Sequence, residues 1–514
     1  MSGHPHGDAL PRHASAPLSW WTRVSGARGR VAWLAAAWGV VLLGGWTLWV
    51  ARQPLDPDYT SGELRDHLTA WAGGERLYPP LGAQPPLRVL NYPPLALLVA
   101  RAFLVGGASP LAAGRLATTA GLVVLLAGVA WWVRARGARP TAMAGTLGIL
   151  AGSFPLLYAS GQFHVEPWAS AGMLWGAALL DRALAEGDRL SSAAMRRTAL
   201  LAGALLAVGI FAKQTAVVPV LVILGWTVRH RRAAAPAALA GLLACGVAGA
   251  AALTAVWGLE PWRHLVLYTV GTPELANLGR QLLRYVAPWA VFLAWSGVAI
   301  ARHRDRSVAD LVPVLVATTA LWSLSAVRSG ASFGYFLDLQ LLVAVWVGPS
   351  LFAATGPRWP NGDACSPRMA ALLLAQLLAA TVGTTVALGL NVMRRIDQAP
   401  AVAATCARVA GSPTLFEEAG LARACGMRGW LHPFIMASLA RQGRWDPAPV
   451  ERRLAEGFWQ GAVLPFDPRR PVPEPHRDRW TPGMLQAFRT APLIAPLGAG
   501  RWLVRWRSPP ERGR

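Results

Sequence analysis

The chain has 514 residues, of which 54% are hydrophobic and 15% charged, against roughly 45–50% and about 25% in soluble domains. That composition excludes a disordered chain and a purely soluble enzyme, and four cysteines exclude a disulfide-framed secreted module. The net charge of +23 sits in short basic clusters between apolar runs, the pattern of membrane-flanking residues and not of a nucleic-acid-binding stripe.

Residues 1–30 are polar, with Arg12, Arg23, Arg28 and Arg30, and read as a basic cytoplasmic segment. The apolar run 31–51 is too long for a signal peptide and predicts a first membrane helix with the N-terminus inside. An outer loop over 52–110 follows. Within it, 94–106 is apolar but too short to span and is interrupted by Arg101, which predicts a helix lying at the membrane surface. Runs 111–133, 141–159 and 168–181 predict crossings, with Arg134, Arg136 and Arg139, then Arg182, Arg189, Arg196 and Arg197, on the cytoplasmic side.

The run 198–228 is different. As one helix it would be about 46 Å long, against a hydrocarbon core of about 30 Å, and it would leave Arg229, His230, Arg231 and Arg232 outside. The positive-inside preference predicts two short helices that meet at Lys213-Gln214-Thr215 in an outer recess. Helices near 236–257, 285–301, 309–327, 335–354 and 369–391 complete about eleven crossings. The expected architecture is an all-α polytopic domain over 31–391 and an extracytoplasmic tail over 392–514, in a cell inner membrane or plasma membrane. The tail contains Cys406 and Cys425, for which an oxidising compartment permits a disulfide.

On this topology the unusual polar groups share the outer side: Asp56, Asp58, Glu63, Asp66, Tyr78, Tyr92, His164, Glu166, Lys213, Arg328 and Tyr335. Acids and bases beside apolar helices suit a lipid-linked anionic substrate. A transfer to a hydroxyl needs a carboxylate to take the proton. Asp56 or Asp58 fits, flanking Pro57 just after the first helix, and the pair can also hold a divalent cation. A phosphate leaving group needs a fixed cation. Lys213, the single lysine of the chain, stands in a broken membrane helix and is the first candidate. Arg328, Arg101 and Arg115 are further ones. His164 and Glu166 in a tight turn, and Tyr335 with Asp338 one helical turn on, are candidate sugar or acceptor contacts. Asp66 and Tyr92 belong to the same outer-loop group. Walker A and HExxH motifs are absent.

The order Asp56-Pro57-Asp58-Tyr59, Leu77-Tyr78-Pro79 and Tyr92-Pro93-Pro94-Leu95 resembles the first outer loop of the GT-C membrane glycosyltransferases. The likeness is to dolichyl-phosphate-mannose-dependent mannosyltransferases and bacterial glycosyltransferase family 39. The resemblance spans roughly residues 30–350. It implies a polyprenyl-phosphate sugar donor, an inverting transfer and a catalytic Asp in the first outer loop, carried here by Asp58 or Asp56, with Asp58 preferred because it precedes the tyrosine. The paired Asp-Glu of protein mannosyltransferases and the Trp-Trp-Asp-Tyr-Gly signature of oligosaccharyltransferases are both missing. The expectation is a mannosyltransferase-like enzyme of the cell envelope, acting on a lipid, glycan or protein acceptor. Membrane lipids and the lipid-phosphate donor are its expected partners, and nucleic acid is not one. The alternative is a transporter or flippase of an anionic lipid-linked substrate, which would also need intramembrane charge and broken helices.

Overall fold

Long apolar runs satisfy their backbone polar groups internally and therefore fold as helices. The computed structural model describes residues 19–506 except 56–57, 83, 186–190, 270, 272, 303–309, 329–330, 332, 353–366 and 396–397. Among the described residues, seven helices are long and apolar enough to cross a membrane: Gly29–Ala51 (within Ser19–Ala51), Pro110–Ala135, Ser192–Ala212, Ala235–Trp257, Leu275–Arg302, Gly334–Leu351 and Ala375–Val409. Leu95–Val105, Pro140–Ala151 and Leu311–Val327 are apolar but shorter.

Helix Ser192–Ala212 packs between Glu166–Ala185 and Ala235–Trp257. The second contact is a backbone crossing. A Cβ on Gly203 would stand 1.9 Å from the Ala238 carbonyl oxygen, and one on Gly241 2.0 Å from that of Leu200, so only glycine permits this approach. The chain then breaks at Lys213, whose backbone is extended, and resumes through a 3-10 turn into Val217–His230.

Two expectations need correction. The single crossing over 141–159 is two helices, Pro140–Ala151 and Phe154–Ala159, parted at Gly152-Ser153. Pro155 lacks the N–H that a continuous helix would use. The helix expected near 285 begins at Leu275 and passes through a π-turn, Leu282–Val286, and a 3-10 turn containing Pro288.

Helix Pro110–Ala135 links the two ends of the bundle. Beyond its C-terminus, Arg136 pairs with Asp181 at 2.9 Å and Asp310 at 2.5 Å. The expected cytoplasmic loops therefore meet at one end. Near its start, Arg115 donates to the carbonyls of Ala51, Gln53 and Leu55, capping the C-terminus of the first helix.

The tail is not all-α. It carries a four-stranded sheet, ordered β1 (Thr414–Phe416), β2 (Gly461–Leu464), β4 (Arg501–Arg505) and β3 (Leu493–Gly498), with β1 parallel to β2 and the other pairs antiparallel. Positive-φ residues at Gly498, Ala499 and Gly500 make the β3–β4 hairpin. Cys406 and Cys425 form a disulfide. The first loop contributes to the tail's core: Leu87 and Val89 pack with Leu431, Ile435, Trp459 and Val504, and Leu87 exchanges backbone hydrogen bonds with Trp430 and His432. Loop and tail are thus one layer over the end of the bundle opposite Arg136.

Candidate active site

Asp58 caps helix Tyr59–Ala72 with an extended backbone, and its Oδ2 accepts from the Ser61 N–H at 3.2 Å, the ordinary role of an N-terminal aspartate. Its Oδ1 accepts from the Tyr158 hydroxyl at 2.8 Å. Asp56 lies outside the described residues.

Asp58 opens on a cavity of about 370 Å³. One wall is the first loop, with Tyr59, Glu63, Asn91 and Tyr92; the other is the tail, with Phe434, Ile435 and Arg479. Glu63 is 9% exposed, and burial raises its carboxyl against the opposing pull of His432, Tyr59 and Arg479. Burial and Glu63 push the Tyr59 phenol well up, so it stays protonated. The Arg479 guanidinium lies 4.4 Å from the Tyr59 ring centre and pairs with Glu417 at 2.9 Å.

Behind Tyr158 stands Arg284, 4.7 Å from the Phe154 ring centre, 5.7 Å from that of Tyr158 and 5.5 Å from that of Tyr285. No ion pair occupies it among the described residues. Its place in the π-turn Leu282–Val286 fits the habit of π-turns to re-aim one side chain. The sequence reading missed Arg284, because it started the helix near 285 and left this arginine at the end of the preceding outer loop.

Lys213, Glu166, His164 and Tyr335 come together as one cluster. Lys213 Nζ donates to Glu166 Oε1 at 2.8 Å and lies 5.4 Å from the Tyr335 ring centre; Glu166 Oε2 is 3.7 Å from His164 Nδ1. Gly334 packs closely there: a Cβ would stand 2.7 Å from Lys213 Nζ, so a larger residue would displace the pair. Asp338 accepts from Ser170 one turn deeper. Gln214 donates to the Asn91 carbonyl at 2.8 Å, and Tyr92 feels the charges of Glu166, Glu63 and Asp58. Asn91 and Tyr92 therefore form the partition between the lysine cluster and the cavity.

Other expected residues stand apart. Asp66 is fully buried, held by Arg423 at 2.5 Å, His432 at 3.3 Å and Arg88 at 3.7 Å. Burial alone would raise its carboxyl, but the His432 hydrogen bond and the guanidinium of Arg423 outweigh that and hold it far below the usual carboxylate range. It joins the first loop to the tail and does not line the cavity. Arg328 is exposed, with its carbonyl bonded to Asn277 on the cavity rim. Arg101 stacks on Trp71 at 5.4 Å, and Arg115 caps the first helix. Among the described residues, no group of three or more His, Cys, Asp or Glu is placed to hold a metal ion.

No family model matches the chain, and neither does any curated protein. Solved structures do. ArnT from Cupriavidus metallidurans bound to undecaprenyl phosphate aligns over 96% of this chain and 99% of its own, with a TM-score of 0.60 at 15% identity. The oligosaccharyltransferase of Archaeoglobus fulgidus aligns over 86% of this chain and 70% of its own, with a TM-score of 0.53 at 11% identity. AglB from the same organism, in complex with an inhibitory peptide and a dolichol-phosphate, aligns over 88% and 70%, with a TM-score of 0.51 at 12% identity. The likeness is one of fold: the chain has the GT-C fold.

Proposed function

From the GT-C fold and the site it carries, we propose that this chain is an integral-membrane glycosyltransferase. It moves one sugar from a polyprenyl-phosphate donor to a hydroxyl of an envelope lipid, glycan or protein acceptor on the outer side of the membrane. The observation that carries this is Asp58. Its carboxylate is fixed by Ser61 and Tyr158 at the edge of a cavity shared by membrane domain and tail.

In the proposed step, the acceptor oxygen forms a bond to the anomeric carbon as its proton passes to an Asp58 oxygen. The bond from that carbon to the donor phosphate breaks, and its electron pair leaves with the lipid phosphate. The sugar carbon inverts. Arg284, with no carboxylate partner among the described residues and one tyrosine removed from Asp58, meets the charge that gathers on the leaving phosphate. Lys213, paired with Glu166, is the second cation assigned to donor binding. The lipid phosphates held by ArnT and AglB support the donor class.

The tail is assigned to the extracytoplasmic side. The Arg136 end of the bundle carries the basic clusters, and the tail at the other end holds the disulfide. A transporter would need its charged groups near the midplane, whereas these gather under the tail.

The test is transfer from radiolabelled polyprenyl-phosphate sugars in membranes carrying the wild-type chain or Asp58→Asn. Loss of about 10²–10⁴-fold in a folded Asp58→Asn protein is expected. Equal transfer by both would refute the assignment.

A further inference from the structure

Resting on that reading, we infer that the acceptor headgroup is a hydroxyl-bearing group that is neutral or positively charged, such as an unmodified sugar or an amino sugar. It enters the cavity beneath the tail and is oriented by Glu63; phosphorylated headgroups are excluded.

The lining decides the charge. Asp58 and Glu63 stand on one wall, with Glu274, Glu474 and Asp478 at the other parts of the lining: five carboxylates against two guanidiniums. Both guanidiniums are committed. Arg280 is held by Glu274 at 3.1 Å and Glu474 at 2.5 Å. Arg479 is held by the buried Glu417 at 2.9 Å and lies over Tyr59. A phosphate entering here would meet no available cation in the lining and several carboxylates. Arg284 and Arg328, for which no ion pair is found among the described residues, stand outside the lining, the first on the donor side of Tyr158.

Glu63 supplies the independent sign of a ligand. It is nine-tenths buried, lines the cavity, and its Oε1 has no hydrogen-bond partner among the described residues. The Tyr59 hydroxyl bonds the Glu63 carboxylate, whereas His432 Nδ1 stands 3.7 Å from Oε1, beyond hydrogen-bond reach, and has no hydrogen-bond partner among the described residues. Buried polar atoms in folded proteins are normally satisfied. A hydroxyl or ammonium hydrogen of the acceptor would complete the hydrogen bonding of this carboxylate, whereas a phosphate oxygen would be repelled by it. Glu63 and Asp58 line the same cavity, so an acceptor held by Glu63 can present a hydroxyl to Asp58. Glu63 is thus a positioning residue, and Asp58 remains the base.

The charge preference is measurable without any transfer reaction. The full chain carrying Thr60→Cys, a residue of the cavity lining, is reacted with thiosulfonates bearing a quaternary ammonium, no charge or a sulfonate. The parent chain gives the background from Cys245 and Cys365. Each rate is divided by that reagent's rate with a small free thiol in solution; the cationic reagent should then be favoured over the sulfonate by about tenfold, and Glu63→Gln in the same background should narrow that ratio severalfold. Equal rates, or a faster sulfonate, would overturn the inference.

Radiolabelled transfer to alkyl glycosides bearing a free hydroxyl, an amine or a phosphate separates the two readings. Transfer to the neutral or amino glycoside, with Glu63→Gln raising the acceptor KM more than it lowers kcat, supports both. Transfer to the phosphorylated glycoside alone keeps the glycosyltransferase and overturns its acceptor class. If no glycoside is used, the glycosyltransferase reading loses support while the thiol rates still decide the charge of the cavity.

Discussion

Tyr158 donates its hydroxyl to Asp58 Oδ1 at 2.8 Å while its ring faces the Arg284 guanidinium. One side chain therefore touches both the proposed base and the proposed phosphate ligand. It fixes the carboxylate's direction and leaves the ring as a spacer. Tyr158→Phe keeps the ring and removes only the hydroxyl. We expect kcat to fall by about tenfold with the donor KM changed by less than about twofold. A raised KM with an unchanged kcat would assign Tyr158 to donor binding instead.

Lys213 and Glu166 form a nearly enclosed ion pair, with side chains 13% and 7% exposed. Removing one partner strands the other, which costs about 3–5 kcal/mol in buried pairs. Lys213→Met is expected to lower the thermal midpoint in detergent, and Lys213→Met with Glu166→Gln to recover most of it. Arg284→Ala has no stranded carboxylate. It should leave the midpoint near wild type while weakening donor use by about tenfold or more. If the double variant regains stability and full transfer, Lys213 serves only the fold.

The membrane part was legible because its signals are local. Apolar run length and arginine clusters located the helices, and the conflict between a 31-residue run and the basic cluster at 229–232 located the break at Lys213. The position of Asp58 after the first helix placed it in the outer loop, and the structure brings it to the cavity edge. What the sequence hid depends on contacts between distant segments. Asp66 looks like Asp58 in composition, yet Arg423 and His432, more than 350 residues away, make it a buried clasp. Glu63 stood among the outer acids without distinction, because its unpartnered oxygen and the wall opposite it come from the tail fold. The sheet was missed because its strands are three to six residues long within an Arg- and Pro-rich stretch.

The loop–tail layer should lose stability on mild acidification. His264 Nδ1 accepts from the Leu90 N–H at 2.9 Å and Nε2 donates to the Pro79 carbonyl at 2.8 Å, which fixes the neutral ring. Burial lowers its pKa to about 4. Between about 4 and 6.5 the unfolded chain takes up a proton that the folded chain refuses. Stability is thus full above about 6.5, falls as pH drops through that window, and is lower by roughly 3 kcal/mol at its end. Asp66 acts in a different range. Its carboxyl is depressed, so its contribution is complete above the ordinary carboxylate value and is lost only in stronger acid. His264→Gln, whose amide can both accept and donate, should flatten the slope of the thermal midpoint between pH 6.5 and 4.5. An unchanged slope would remove His264 from the account and leave His67, which burial also depresses.

The disulfide tests both the tail's stability and its side of the membrane. Cys406 ends in a bond to Cys425 across 19 residues, tying helix Gln398–Val409 to Ala419–Ala424 beneath the sheet. Closing a loop of that size restricts the unfolded chain by about 3 kcal/mol. Cys406→Ser should therefore lower the tail's resistance to urea and proteolysis while the membrane helices keep their own. In cells, a bond of this kind persists only on an oxidising side. Thiol trapping before lysis should find Cys406 and Cys425 blocked and Cys245 free. Finding both tail thiols reduced and open to alkylation in intact cells would place the tail in the cytoplasm. Asp58, Glu63 and the cavity they share with the tail would then face the cytoplasm as well, and the lipid-phosphate donor would have to be presented there.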